Sequence, residues 1–509
     1  MVGHKILLIT PSLHLINLHK SMKHLVAIFM AAILFFSILS CSRDSKRGDI
    51  GEDIAVSDSI PPTLDLLDIK EPSLVKINLY IENSGSMNGY VSGRTQFKDA
   101  LQNLLVDLKF PFGEENINLF FINDQIHKSP IKSNIVDFAD KLSPNSIKIG
   151  HTGSSNLNEI FRKITSKSEK NTISILLSDF IYSIKGKNTV ALLGEQKALT
   201  RDVFLTASKN NQNLATNIYQ YFSDFDGIYY DFNDQRHKWK DSRPYYIAII
   251  GDQPSVSSFT EKIGDRFKTY SGYKHEYILT EKDFDMQNYT VLPATLNKGK
   301  FKPLKHQIVN NQIKGIQTDG LGRNENNFQI AVAVDFKGIP VTDEYITTAS
   351  NYEVNENKFS LNKIGKITNK TVKFNNGETV SIPPSDLIHL EAGFTHVLVF
   401  ESIGENFDNL KFSLKRTTPK WVEESTTTDD TDIETNKKNK QTTFGLSYLV
   451  DGITEAYLQS TGKEDYINIS IPIENNTSSS FLGKIIGFLF GGGLIALIVL
   501  IIIKNKKRK

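Results

Sequence analysis

Ile77-Asn78-Leu79-Tyr80-Ile81-Glu82-Asn83-Ser84-Gly85-Ser86-Met87 is the stretch around which this 509-residue chain is organised. Residues 77–81 form an apolar run of the kind that makes a buried strand, and the run ends on the acidic Glu82. Small and polar residues follow at Asn83, Ser84 and Gly85, and Ser86 adds a second hydroxyl two positions after the first. In an open α/β sheet, ligands bind in the crevice beyond the carboxyl ends of the strands. A strand running into Glu-x-Ser-x-Ser therefore places one carboxylate and two hydroxyls in that crevice. All are oxygen donors, which suit a hard divalent cation such as Mg²⁺ (Mn²⁺ or Ca²⁺ being alternatives) rather than zinc or copper.

Further oxygen donors lie downstream. Ser154-Ser155-Asn156-Leu157 opens a segment with Leu157, Ile160, Phe161 and Ile164 at helical spacing. Ile173-Ser174-Ile175-Leu176-Leu177-Ser178-Asp179 is a second buried-strand pattern ending on an acid. This order of motifs resembles the von Willebrand factor type A domain, whose metal-ion-dependent adhesion site uses D-x-S-x-S, a loop threonine and a loop aspartate. The resemblance implies Ser84 and Ser86 as direct ligands, Ser155 in the threonine position and Asp179 in the loop-aspartate position. Glu82 stands in for the first aspartate and is one methylene longer, and Ser155 lacks the threonine methyl; Ser154 and Thr152 are neighbouring alternatives for it.

Composition sets wider bounds. The length leaves room for two to three domains, and 39% hydrophobic with 23% charged residues describes an ordinary globular protein. The formal net charge is +2, with basic residues gathered at the end of the chain. No basic patch interleaved with aromatics elsewhere points to nucleic acid. The single cysteine excludes an intramolecular disulfide and a thiolate metal site.

Residues 1–41 read as a signal segment, with Met22 and Lys23 as a second start and a basic flank before an apolar run. Its end at Ser40-Cys41 resembles a lipobox, which implies lipid on Cys41. Residues 42–72 are polar, carry Pro61-Pro62 and read as a disordered tether; their Arg47-Gly48-Asp49 is the kind of tripeptide that arises by chance. A type A-like domain is expected over 73–273. After the Ser84/Ser86 loop comes a helix carrying Phe97, Leu101, Leu104, Leu105 and Leu108 on one face, then a strand over 117–122 and a short helix over 135–142. A helix over 196–215, strands over 217–222, 227–232 and 244–250, and a closing helix over 255–267 complete it. Strands alternating with helices predict a doubly wound, mostly parallel Rossmann-like sheet. Asp224, Asp226 and Asp231 read as a solvated turn, with a second cation site as the alternative.

The texture changes over 275–475. Phe328, Ile330, Val332, Val334 and Phe336 alternate strictly, strands are expected over 395–400, 410–414 and 466–473, and an all-β sandwich-like domain is predicted. Within it, the polar stretch 423–443 reads as a disordered loop. His306, His389 and His396 are scattered and read as structural. The stretch over 484–503, apolar throughout from Ile485 to Ile503, is long enough to span a bilayer as a helix, and the basic tail over 504–509 would stay in the cytoplasm. The expected location is thus a bacterial cytoplasmic membrane, with the main domains in the periplasm.

The resemblance implies a membrane-anchored binding module in adhesion or complex assembly, with Glu82, Ser84, Ser86, Ser155 and Asp179 holding the cation. A protein partner would offer a carboxylate to it. No catalytic constellation is evident. The alternatives are a metal-assisted hydrolase with His151 as the base, and a structural envelope protein with a degenerate metal site.

Overall fold

Ile77, Leu79 and Ile81 alternate with Asn78 and Tyr80, which gives one short strand apolar groups on both faces. In a computed structural model of the chain, Lys76–Glu82 is accordingly an interior strand, β1, with Ile77, Leu79, Tyr80 and Ile81 all buried. The structure describes residues 75–475 except 154, 168, 211–212, 283, 285–287, 319–327, 356–357, 391–392, 404–407 and 437. The expected signal segment with Cys41, the tether over 42–72, the membrane helix over 484–503 and the basic tail lie outside the described residues. Among the described residues no helix is long and apolar enough to cross a membrane.

β1 pairs in parallel with β2 (Ile117–Ile122) on one side and with β4 (Thr172–Ser178) on the other. The other pairings of this sheet are antiparallel. β3 (Ile126–Lys128) closes the edge beside β2. On the far side β4 pairs with β6 (Arg236–Asp252), β6 with β5 (Leu214–Tyr230), and β5 with β7 (Tyr273–Thr280). The seven-stranded order β3-β2-β1-β4-β6-β5-β7 is therefore mixed. This corrects the expectation of a doubly wound, mostly parallel sheet.

The reason lies in the connections. A parallel pair needs a long crossover, whereas a short turn forces the chain back antiparallel. The strands expected over 217–222 and 227–232 are one long strand, β5, which a tight turn joins to β6. In that turn Asp231 Oδ1 accepts from the amides of Asn233 (2.9 Å) and Gln235 (2.8 Å), and Asp234 adopts φ 60°.

Helices cover both faces of the sheet. On one face lies α1 (Gln96–Phe112), started by Thr95, whose hydroxyl accepts from the Lys98 amide, and stopped at Gly113 with φ 81°. Its Phe97, Leu101, Leu104, Leu105 and Leu108 are fully buried against Leu79, Ile175 and Ile247, each contributing on the order of 2 kcal/mol by burial. The opposite face takes α2 (Leu157–Ser166), capped by Asn156, and α3 (Thr189–Asn210). It also takes α5 (Leu446–Thr461), which comes back to this sheet late in the sequence; α4 (Gln253–Ile263) belongs to the first face.

The remaining strands form two further main sheets whose side chains share one core, including Ile330, Val332, Leu398 and Phe400 from one and Leu410, Phe412, Ile467 and Ile469 from the other. One of them is itself mixed, because Ile316–Thr318 runs parallel to Asp465–Asn475. The all-β expectation for 275–475 is corrected by α5, whose Leu446, Leu449, Val450, Ile453 and Tyr457 are buried against the first sheet. The polar stretch 423–443 also departs from the expected disorder. Asp430, Ile433 and Asn439 within it are buried, and it lies along the β5–β6 hairpin.

Candidate metal centre

The centre is assembled at the carboxyl ends of the parallel strands β1 and β4. β1 ends on Glu82, and the chain then turns through Asn83 and Ser84 into a short 3₁₀ segment, Gly85–Val91. Asn83 fixes this turn. Its amide group donates to the carbonyls of Ile147 (2.7 Å) and Ile149 (2.8 Å), and its oxygen accepts from Asn123 at 2.9 Å. The Gly85 amide donates to the Thr152 carbonyl at 3.0 Å. These bonds hold the loop before α2, which carries Ser155, against the end of β1.

Glu82 is gripped at both oxygens. Ser155 Oγ donates to Oε1 at 2.5 Å, and Ser178 Oγ, from the last residue of β4, donates to Oε2. The extra methylene of glutamate reaches across to both neighbouring elements at once. Ser178 Oγ also accepts from the Phe180 amide at 3.0 Å. Phe180 has φ 55°, a left-handed conformation uncommon for a bulky residue. Stacking on Tyr246 at 4.9 Å and 5° holds it there, and so fixes the direction in which Asp179 leaves the strand.

Ser84 and Ser86 share a hydrogen bond at 3.0 Å. Asp179 Oδ1 accepts from the Ile181 amide at 3.3 Å, while Oδ2 is buried with no hydrogen-bond partner. The structure thus brings together Glu82, Ser84, Ser86, Ser155 and Asp179. Glu82 is 1% exposed, Asp179 3%, and Ser84 and Ser155 6% each, whereas Gly85 and Ser86 are half-buried. The cluster opens on the Gly85–Ser86 side.

The electrostatics are those of two acids forced together. Burial, then the charge of Asp179, push the Glu82 carboxyl up to about 7 against the pull of the Ser155, Ser178 and Ser84 hydroxyls. Burial also raises Asp179, opposed by the Ser86 hydroxyl, the Ile181 amide and the Arg243 guanidinium. A proton or a cation relieves this pair. Its donors are all oxygen, and one buried carboxylate oxygen is without a partner. The residues fit a hard divalent cation. No group of three or more His, Cys, Asp or Glu side chains suited to a metal occurs among the described residues; in this centre serines supply the other donors.

The remaining candidates fall elsewhere. Ser154 lies outside the described residues, and Thr152 contributes its carbonyl to the Gly85 amide. His151 is exposed. Asp224, Asp226 and Asp231 are dispersed along the hairpin, facing Gln96, Lys240 and His237 respectively. His306 pairs with Glu474, and His389 meets the Asn311 carbonyl. Burial lowers His396 to about 4.

Sequence reasoning missed Ser178, Asn83 and Asn123. Ser178 stands directly before Asp179, and a hydroxyl closing an otherwise apolar strand was the available signal. It also missed Arg243, fully buried, whose charge acts on Asp179 and whose Nη1 donates to the carbonyls of Asn439 (3.0 Å) and Lys440 (3.3 Å). No family model matches the chain, and no curated protein or solved structure matches it.

Proposed function

We propose that the chain is a cation-dependent binding module. Glu82, Ser84, Ser86, Ser155 and Asp179 would hold a divalent cation, Mg²⁺ being the best fit to an all-oxygen set with two carboxylates. The observation that carries this reading is the buried, unpartnered Oδ2 of Asp179 inside a cluster of hydroxyls and a second carboxylate. A buried polar atom of this kind is costly unless something occupies it.

When bound, the cation supplies a positive centre on which a partner protein's carboxylate docks. The chain's own residues do the rest. Asn83 and Asn123 fix the loops, Ser178 orients Glu82, and the half-buried Gly85–Ser86 side leaves a path for the partner. The test is capture of a partner from an extract in Mg²⁺, with and without a chelator, by the parent and by Asp179→Ala. Chelator-sensitive capture lost in the mutant supports the reading. Equal capture by a folded Asp179→Ala chain contradicts it.

A further inference from the structure

The cluster opens beside Gly85, and the wall on that side comes from the tip of the β5–β6 hairpin. A Cβ at Gly85 would stand 3.4 Å from the Tyr230 ring, an ordinary van der Waals contact, so the ring lies next to the loop between Ser84 and Ser86. Arg236, across the turn, donates from Nη2 to the Tyr230 hydroxyl at 3.2 Å, and its guanidinium lies 5.6 Å from the centre of that ring. Arg236 is exposed, and no described carboxylate lies within ion-pairing distance of it. The nearby acids are engaged otherwise: Asp234 with Lys185 at 2.5 Å, and Asp231 and Glu434 with the two nitrogens of His237 at 3.1 Å each.

Charge decides what this wall favours. A divalent cation with Glu82 and Asp179 both ionised makes a neutral centre. Arg243 is buried on the inner side, where Asp430 as well as Asp179 feels its charge. Arg236, exposed and among the described residues bonded only to the Tyr230 hydroxyl, is the cation at this edge without a carboxylate of its own, and the planar fork of an arginine matches carboxylate geometry.

We infer that Arg236, propped on Tyr230, is the specificity-determining residue that selects one carboxylate of a partner peptide at the open side of the cation centre. This rests on the cation-site reading above. The carboxylate is that of an acidic side chain or of a chain terminus, a distinction the test resolves.

The experiment is an array of random heptapeptides, printed with free and with amidated C-termini. It is probed with the full chain in Mg²⁺ and again after a chelator, alongside Arg236→Glu, Arg236→Lys and Asp179→Ala. The parent is expected to bind carboxylate-bearing peptides in a chelator-sensitive way; signal surviving on amidated peptides assigns side-chain acids, and signal confined to free ends assigns termini. Arg236→Glu is expected to lose about tenfold or more of that binding, and Arg236→Lys, which keeps the charge but not the fork, to fall between Arg236→Glu and the parent. The Mg²⁺-induced rise in melting temperature should stay at the parent value in both, which a merely structural role would not leave untouched. Undiminished chelator-sensitive binding by Arg236→Glu overturns the inference and leaves the cation-site reading standing. Absence of chelator-sensitive carboxylate binding by the parent overturns both.

Discussion

Ser155 Oγ donates to Glu82 Oε1 at 2.5 Å, tying the loop before α2 to the end of β1 across 73 positions of sequence. With Ser178 on the other oxygen, the glutamate bridges three segments of the fold. An aspartate is one methylene too short to keep both contacts. Glu82→Asp should therefore leave one buried hydroxyl unpaired and lower the stability of the cation-free chain by about 1–3 kcal/mol. Chemical denaturation measures this, and an unchanged midpoint would contradict the bridging role.

The same carboxyl gives the chain a pH-dependent stability. Its folded value of about 7 exceeds the ordinary 4.5, and Asp179 is raised with it, so the folded state binds these protons more tightly than the unfolded one. That stabilisation, shared by the two carboxyls, is fully present below the ordinary carboxyl range and is lost as pH rises through about 7. Without cations, this contribution makes the melting temperature fall across that window. A divalent cation competes with the protons, so the rise it produces should be larger near pH 8 than near pH 5.5. Calorimetric scans at both pH values check the sign.

The hairpin and the site loop meet through glycines. A Cβ at Gly89 would stand 2.4 Å from the Phe225 ring, and one at Gly227 would stand 2.7 Å from the Gly89 Cα. Gly89→Ala should push the two apart, lowering stability by about 1–3 kcal/mol and weakening cation binding through the displaced Ser86. Titration calorimetry on the folded variant separates the two effects.

Arg243 ties the polar stretch 423–443 to the sheet. It lies 4.5 Å from the centre of the Tyr229 ring, and Tyr229 in turn donates to Asp430 at 2.5 Å. Arg243→Met should leave the Asn439 and Lys440 carbonyls and Asp430 without their buried cation, lowering stability by about 3–5 kcal/mol. Hydrogen exchange should show protection lost first over 429–443. Uniform loss across the whole fold would argue against this local anchoring.

The difference between what could be read in the sequence and what could not follows from range. The gathering of Glu82, Ser84, Ser86, Ser155 and Asp179 at one end of the sheet was legible because each sits where an apolar run stops or a helix starts, a local pattern; that they hold a cation is the proposal the measurement below tests. Strand direction was not, because an apolar run such as 244–250 reads alike in a parallel and an antiparallel pair. The deciding signal was the turn over 231–235, where Asp231 accepts two amides. The segment 423–443 looked disordered because its anchors, Asp430, Ile433 and Asn439, are single residues in a polar run whose partners lie some two hundred positions earlier. Helix α5 hid its 3.6-residue periodicity inside a region dominated by alternating strands.

The most direct test of the cation centre is a thermal-shift titration of the full chain with Mg²⁺, Mn²⁺ and Ca²⁺, beside Asp179→Asn. The substitution keeps the shape of the side chain and removes one of the two crowded charges, so the cation-free variant should melt no lower than the parent. A concentration-dependent rise for the parent, absent from Asp179→Asn, is the predicted result. An equal rise in both, or none in the parent with any of the three cations, would contradict the account.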